Sequence, residues 1–191
     1  MVVFITGNCP YHCYYCPVSL ERRNQDTSYA NERLVDNIYE IIHEGELSAA
    51  EGASITGGEP LHVFSRSIDV IKALKLHFGS DFHIHLYTGI KEITPSQIQK
   101  LEDAGLDELR LHDVLSFDLT QLKLLLDSKI QIGVEIPAIP GTFDEIKKMI
   151  NHLLEASNDL KGKKYIFLNL NELEASETNI AQLKERGFVL S

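Results

Sequence analysis

Three cysteines stand close together near the start of the chain, in Gly7-Asn8-Cys9-Pro10-Tyr11-His12-Cys13-Tyr14-Tyr15-Cys16-Pro17. An odd number of thiols at such short spacing argues against a disulfide framework and for a metal or cluster site in a reducing environment. Three thiolates can hold three irons of a cubane iron–sulfur cluster and leave the fourth iron open. An open iron is a place where a small molecule binds and reacts, whereas an electron-transfer ferredoxin site closes with a fourth protein ligand. Zinc is the alternative occupant. It needs a fourth ligand, for which His12 is the nearest candidate, and the thiolate set and its spacing favour the cluster.

A second motif, Thr56-Gly57-Gly58-Glu59-Pro60, closes a short β-branched run. Glycines allow close backbone approach and unusual dihedrals, and a proline starts a turn without needing a donor. A plain turn would also explain this run. One strand downstream of three clustered cysteines, it reads instead as a second wall of the same site.

The elements that must position these motifs follow from hydrophobic period and punctuation. Strands are expected at about 2–7, 52–57, 83–88, 108–113, 130–137 and 164–170, with helices at about 31–47, 65–79, 95–105, 118–128, 142–158 and 178–186. Gly79 and Gly105 fall near helix ends, and Thr94-Pro95 and Asp118 at helix starts. Strands alternating with helices imply a parallel sheet with right-handed crossovers. Six such units are too few for a complete eight-unit barrel, so an open partial barrel and a flat doubly wound sheet both satisfy the pattern.

Side-chain parity within the strands is more informative. Ala53 and Ile55 oppose Ser54 and Thr56, Ile84 and Leu86 oppose His83, His85 and Tyr87, and Leu109 and Leu111 oppose Arg110 and His112. Ile130, Ile132, Val134 and Ile136 oppose Gln131, Gly133 and Glu135. Ile166, Leu168 and Leu170 oppose Phe167, Asn169 and Asn171. A parallel sheet covered on both faces would be apolar throughout. One polar face points to a ligand-holding interior that opens near the strand C-termini.

The spacing Cys-x-x-x-Cys-x-x-Cys with an aromatic residue before the last cysteine, joined to Gly-Gly-Glu-Pro at the end of strand two, resembles the signature of the radical S-adenosylmethionine (radical SAM) superfamily. The resemblance spans residues 1–191 as one core domain. It implies an α/β fold, the (β/α)6 partial TIM barrel, and a [4Fe–4S] cluster on Cys9, Cys13 and Cys16. It also implies S-adenosylmethionine as cosubstrate, its amino and carboxylate groups chelating the open iron. An external ferredoxin- or flavodoxin-type donor would supply one electron to cleave the sulfonium, giving methionine and a 5′-deoxyadenosyl radical that abstracts hydrogen from a substrate.

By the same resemblance Tyr15 lies against adenine, and Gly57, Gly58 and Glu59 take the methionine ammonium. Thr88, Glu135 and Asn169 face the cosubstrate, with Asn171 a similar candidate. Glu135 has a structural alternative as the partner of Arg110, and Arg110 has its own alternative as the clamp on the cosubstrate carboxylate. His85, Tyr87 and His112 are candidates for the substrate side or for proton transfer, or are hydrogen-bonded interior residues.

The phrasing Phe4-Ile5-Thr6-Gly7-Asn8-Cys9-Pro10, His83-Ile84-His85-Leu86-Tyr87-Thr88 and Gly133-Val134-Glu135-Ile136-Pro137 further resembles an archaeal group related to pyruvate formate-lyase activating enzymes. That likeness points to a protein or peptide substrate. The competing reading is a non-catalytic iron–sulfur or zinc protein, structural or sensory, using the same cysteines. Such a protein has no need of Gly-Gly-Glu-Pro.

Composition narrows the field further. The chain has 191 residues, 43% hydrophobic and 24% charged, ordinary for a globular protein. No apolar run approaches the roughly 20 residues that span a bilayer, and the N-terminus lacks a basic, cleavable leader, so a cytoplasmic enzyme without membrane contact is expected. A net charge of -10, from 28 acidic and 18 basic residues, lacks the footprint of direct nucleic-acid binding. No cysteine follows Cys16, which leaves no ligands for auxiliary clusters in this sequence. With little beyond the sixth helix, either a large substrate caps the barrel or a further segment does. His43, His62, His77 and His152 are expected at the surface, and Glu172, Glu174 and Glu177 read as a solvated acidic run.

Overall fold

The computed structural model describes residues 1–112, 117–157 and 166–189. In chain order the elements are β1 (Val2–Phe4), β2 (Ser28–Ala30), β3 (Arg33–Val35), α1 (Ile38–Leu47), β4 (Gly52–Thr56), a 3-10 turn (Pro60–Val63), α2 (Phe64–Phe78), β5 (His83–Thr88), α3 (Pro95–Ala104), β6 (Glu108–Leu111), α4 (Leu119–Asp127), β7 (Gln131–Pro137), α5 (Phe143–Ser157), β8 (Phe167–Asn171) and α6 (Ile180–Glu185).

One sheet runs in the order β3-β2-β1-β4-β5-β6-β7-β8. From β1 through β4 to β8 every neighbour is parallel, giving the six βα units expected of the partial barrel. The apolar parity set forms the core beneath the helices. Ile55, Ile84, Leu86, Leu109, Leu111, Ile132 and Val134 have no exposed surface and share one cluster with Ile71, Leu74, Leu101 and Leu125. Each such side chain contributes about 1.5–3 kcal/mol on burial, so the helix-facing side of the sheet carries the stability and the other side is left for chemistry.

Local signals set the helix ends. Thr94 and Gln97 form a reciprocal capping box with Pro95 in the first turn. Asp118 accepts from the Gln121 amide at 2.8 Å, and Gly105 ends α3 in a left-handed conformation.

Residues 31–47 do not form the single helix that the apolar pattern predicts. Residues 28–35 are an antiparallel hairpin, β2 and β3, added to the outer edge of β1. Asn31 takes a positive φ of 50° at its turn, and α1 begins only after Asn37, whose side chain accepts from the Glu40 amide. Val35 alternates with exposed Arg33 and Leu34, and three-residue strands are too short for their period to stand out against the helix that follows.

The first strand is also shorter than its apolar run. After the Ile5 amide bonds to the Thr56 carbonyl at 2.9 Å, the chain leaves the sheet and the Gly7 amide turns to the Gln25 carbonyl. The sixth parallel strand starts at Phe167, and residues 164 and 165 of the expected strand lie outside the described residues. No described helix is long and apolar enough to cross a membrane.

Candidate active site

A cavity of about 380 Å³ opens at the C-terminal ends of the parallel strands. Cys9, Cys13 and Cys16 line one wall, on the loop that leaves β1, and Gly57, Gly58 and Glu59 line the adjacent wall, on the turn that leaves β4. The two loops are joined through the backbone. The Gly58 amide donates to the Thr6 carbonyl at 2.7 Å, and the Glu59 amide donates to the Asn8 carbonyl at 2.9 Å.

Both glycines are required by this approach. A Cβ on Gly58 would lie 2.4 Å from the Asn8 carbonyl oxygen, and one on Gly57, whose φ is +145°, would lie 2.4 Å from that of Thr6.

Glu59 is 2% exposed, yet it is well provided with donors. Its Oε1 accepts from the Leu61 amide at 2.9 Å and from the Thr88 hydroxyl at 2.7 Å, and its Oε2 accepts from the Gly89 amide at 2.8 Å. Burial pushes its carboxyl above the usual range, with these bonds pulling the other way. Glu59 lines the cavity, and its carboxylate can accept more bonds than these three. Thr88 passes the contact on, accepting from the Ile90 amide.

The three cysteines are unpaired and only partly exposed. Burial raises the Cys9 and Cys13 thiols, and neighbouring thiolates push in the same direction. Three soft donors that repel one another when ionised, on the wall of a cavity sized for a small molecule, fit a cationic iron cluster with room beside it for a cosubstrate.

Deeper in, the polar face of the sheet is knitted together. Arg110 Nη1 donates to Glu135 Oε2 at 2.7 Å and to the Tyr87 hydroxyl at 2.6 Å, while its Nε donates to Glu108. Tyr87 in turn donates to Glu135 Oε1, which also accepts from Asn171 at 2.8 Å. Burial works to raise the Glu135 carboxyl, but bonds from Asn171, Asn169 and Tyr87, with the Arg110 charge, hold it below the usual range. Arg110 thus stands in an ion pair with Glu135. Glu135, Tyr87 and Asn171 line the cavity, whereas Arg110, Asn169 and His85 share that face of the sheet without reaching its wall.

Tyr15 lines the cavity with its hydroxyl 2.9 Å from His112 Nε2. His112 Nδ1 faces the Glu135 carbonyl at 3.2 Å, and a carbonyl only accepts, so Nδ1 is the donor of that contact, while the Tyr15 hydroxyl lies between His112 and Cys13, to which it also bonds.

Several participants escape a reading of the sequence. Asn179, 1% exposed, donates from Nδ2 to the carbonyls of Tyr15 and Glu174, both at 2.9 Å. Nearby, Arg186 stacks on Tyr14 with its guanidinium 4.1 Å from the ring centroid. Glu172 and Glu174, expected as a merely solvated run, also line the cavity. Their spacing lacks a period, and only the return of the chain from β8 over the cysteine loop gives them a role. His152 is half-buried and bonds to the Phe117 carbonyl rather than standing free, while His43, His62 and His77 are at the surface as expected.

The family model described as the radical SAM superfamily matches residues 3–159. The chain belongs to the radical SAM superfamily. It is therefore an enzyme of that class, and S-adenosylmethionine and a [4Fe–4S] cluster are the cofactors the family implies in general. A Methanocaldococcus jannaschii protein named as a candidate glycyl-radical enzyme activating enzyme is 41% identical over 200 residues, covering 99% of this chain and 51% of that one. A biotin synthase of Actinobacillus pleuropneumoniae is 33% identical over 111 residues, covering 53% of this chain and 30% of its own length. The radical SAM chain thus spans about half the length, or less, of these curated relatives. Among solved structures, Streptococcus suis SuiB bound to S-adenosylmethionine superposes with a TM-score of 0.64 at 15% identity, covering 97% of this chain and 45% of SuiB. That likeness is one of fold.

Proposed function

We propose that this radical SAM enzyme activates a protein partner by removing a hydrogen atom from a main-chain glycine, as the name of its 41% identical relative suggests. The observation that carries the reading is the meeting of the three cysteines and the Gly57-Gly58-Glu59 turn on one cavity. When bound, the cluster and S-adenosylmethionine would supply the one-electron, hydrogen-abstracting chemistry, with methionine and 5′-deoxyadenosine as the products to look for. Cys9, Cys13 and Cys16 would hold three irons. Glu59 Oε2 and the adjacent backbone would accept from the methionine ammonium, and the Tyr15 ring would border the adenine. Glu135, held ionised, would face the ribose or amino-acid part, with Tyr87 and Asn171 fixing its orientation. His112 keeps the Tyr15 hydroxyl in place. An external low-potential donor of ferredoxin or flavodoxin type would deliver the electron.

The test is anaerobic. Protein reconstituted with iron and sulfide is given dithionite and S-adenosylmethionine, and 5′-deoxyadenosine is quantified, with Cys13→Ala as control. Product from the native chain alone supports the chemistry. Cluster formation without product counts against it, and zinc uptake in place of iron overturns it. The glycine step is read by electron paramagnetic resonance after adding a glycyl-radical enzyme: a carbon-centred doublet on that protein supports it, and its absence despite deoxyadenosine formation removes the protein-activation part alone.

A further inference from the structure

The polar face of the sheet carries a second convergence at its other mouth. His83, His85 and Glu108 each offer one ligand atom, and these atoms lie within 4.8 Å of one another. His83 opens β5 and Glu108 opens β6, and His85 and Glu108 are direct register partners. The two-residue period of a strand puts both imidazoles on one face, with ring centroids 5.8 Å apart. Thr88, at the cavity end of β5, is roughly 16 Å along the strand from His83 and roughly 10 Å from His85 at ~3.3 Å per residue. This cluster is therefore separate from the cysteine site.

Two features distinguish it from an ordinary surface group. His85 Nδ1 is buried and has no hydrogen-bond partner among the described residues. Buried polar nitrogens are almost always paired, and ligating an ion is one use that a neutral imidazole nitrogen serves. The Glu108 side chain is 12% exposed, one oxygen held by Arg110 and the other 3.9 Å from His83 Nε2. A carboxylate fixed from behind and directed at a second ligand is the arrangement by which outer partners orient metal ligands. Opposite His83 stands Gly52, which has no side chain, and the His83 side chain is 51% exposed, so an ion has a way in.

We propose that His83, His85 and Glu108 form a second metal site, for a zinc-class divalent ion, at the mouth remote from the cysteines. Two imidazoles and one carboxylate are the donor set that zinc favours and that magnesium and calcium do not. Tetrahedral zinc holds its ligands roughly 3.4 Å apart, so the side chains would need to draw together by about an ångström or so. Arg110 opposes a cation here, but Glu108 and Glu135 together outweigh its charge.

The test uses two proteins: the full chain loaded with its cluster, and Cys9→Ala/Cys13→Ala/Cys16→Ala, which removes every thiol. Each is titrated with cobalt(II) and, separately, zinc, with bound metal counted by elemental analysis. The site predicts one equivalent per chain in both, and a cobalt d–d spectrum without a thiolate charge-transfer band. Affinity falls at least tenfold in His83→Ala and in His85→Ala. If the thiol-free chain does not fold, zinc bound beyond the iron content of the loaded chain, and lost in His85→Ala, supports the site equally. No uptake by the loaded chain, a thiolate signature alone, or uptake unchanged by the histidine substitutions overturns the proposal.

Discussion

Replacing Glu59 by glutamine changes one atom of a carboxylate that receives three donors, and the structure predicts the outcome. The glutamine oxygen can keep the Leu61 amide and the Thr88 hydroxyl, but its amide nitrogen then stands where Oε2 is, 2.8 Å from the Gly89 N–H. One hydrogen bond to a charged acceptor is lost, at about 1.5–3 kcal/mol, and two become neutral, at roughly 1 kcal/mol each. Burying an amide instead of a poorly solvated charge returns roughly 1–3 kcal/mol. The net expectation for Glu59→Gln is a loss centred on about 2 kcal/mol of stability. Anaerobic urea unfolding of the cluster-free chain should show a lower midpoint at unchanged slope. Because Glu59 and Thr88 share a bond, Thr88→Val and Glu59→Gln should couple by about 1 kcal/mol or more in a double-mutant cycle. A stability loss under about 1 kcal/mol together with strictly additive effects would refute the account of Glu59 as the clasp between the β4 turn and β5.

Gly58→Ala forces a Cβ to within 2.4 Å of the Asn8 carbonyl and 2.7 Å of the Gly7 carbonyl, so the cysteine loop must shift. Iron bound after reconstitution should fall well below that of the native chain, as counted by elemental analysis. Asn179→Ala leaves the Tyr15 and Glu174 carbonyls without their donor, costing about 2 kcal/mol and hastening cluster loss in air, followed by the decay of visible absorbance. Asp26 is held down to about 2 by a two-pronged bond from Arg66 and by Thr6. Its contribution, full above the ordinary carboxyl value of 3.8, is lost as pH falls through about 2, so Asp26→Asn should flatten the acid limb of a stability–pH curve below about pH 4.

Much of the architecture could be read from the sequence because the central parallel strands β4, β5 and β6 alternate cleanly. Leu86 and Leu109 point into the core while Tyr87 and Arg110 point away, and the helix ends carry strong caps such as Thr94 and Asp118. The hairpin at 28–35 was not legible, since strands of three residues give no period and the apolar positions of α1 extend backwards through Leu34 and Val35. The site was legible where chemistry demands particular residues, at the cysteines and at Gly57-Gly58-Glu59. It was illegible where position comes from long-range return of the chain. Asn171 lines the cavity and Asn169 does not, although both occupy the same face of β8, because only the strand's last residue reaches the mouth. That Arg110 stands beside Glu135 depends on the register of β6 with β5 and β7, which no local pattern encodes.

The bond from Asn179 to the Tyr15 carbonyl joins residues 164 positions apart in the chain. Every other unit of the sheet packs on its sequence neighbour, so β1 to β7 can assemble in the order in which a ribosome delivers them. The cysteine loop is made well before α6, which carries one of its fastenings. During synthesis the loop has its thiols in place but lacks its clasp until α6 has emerged. A nascent chain stalled before Asn179 should therefore hold iron less firmly than one in which α6 has emerged and the bond is made.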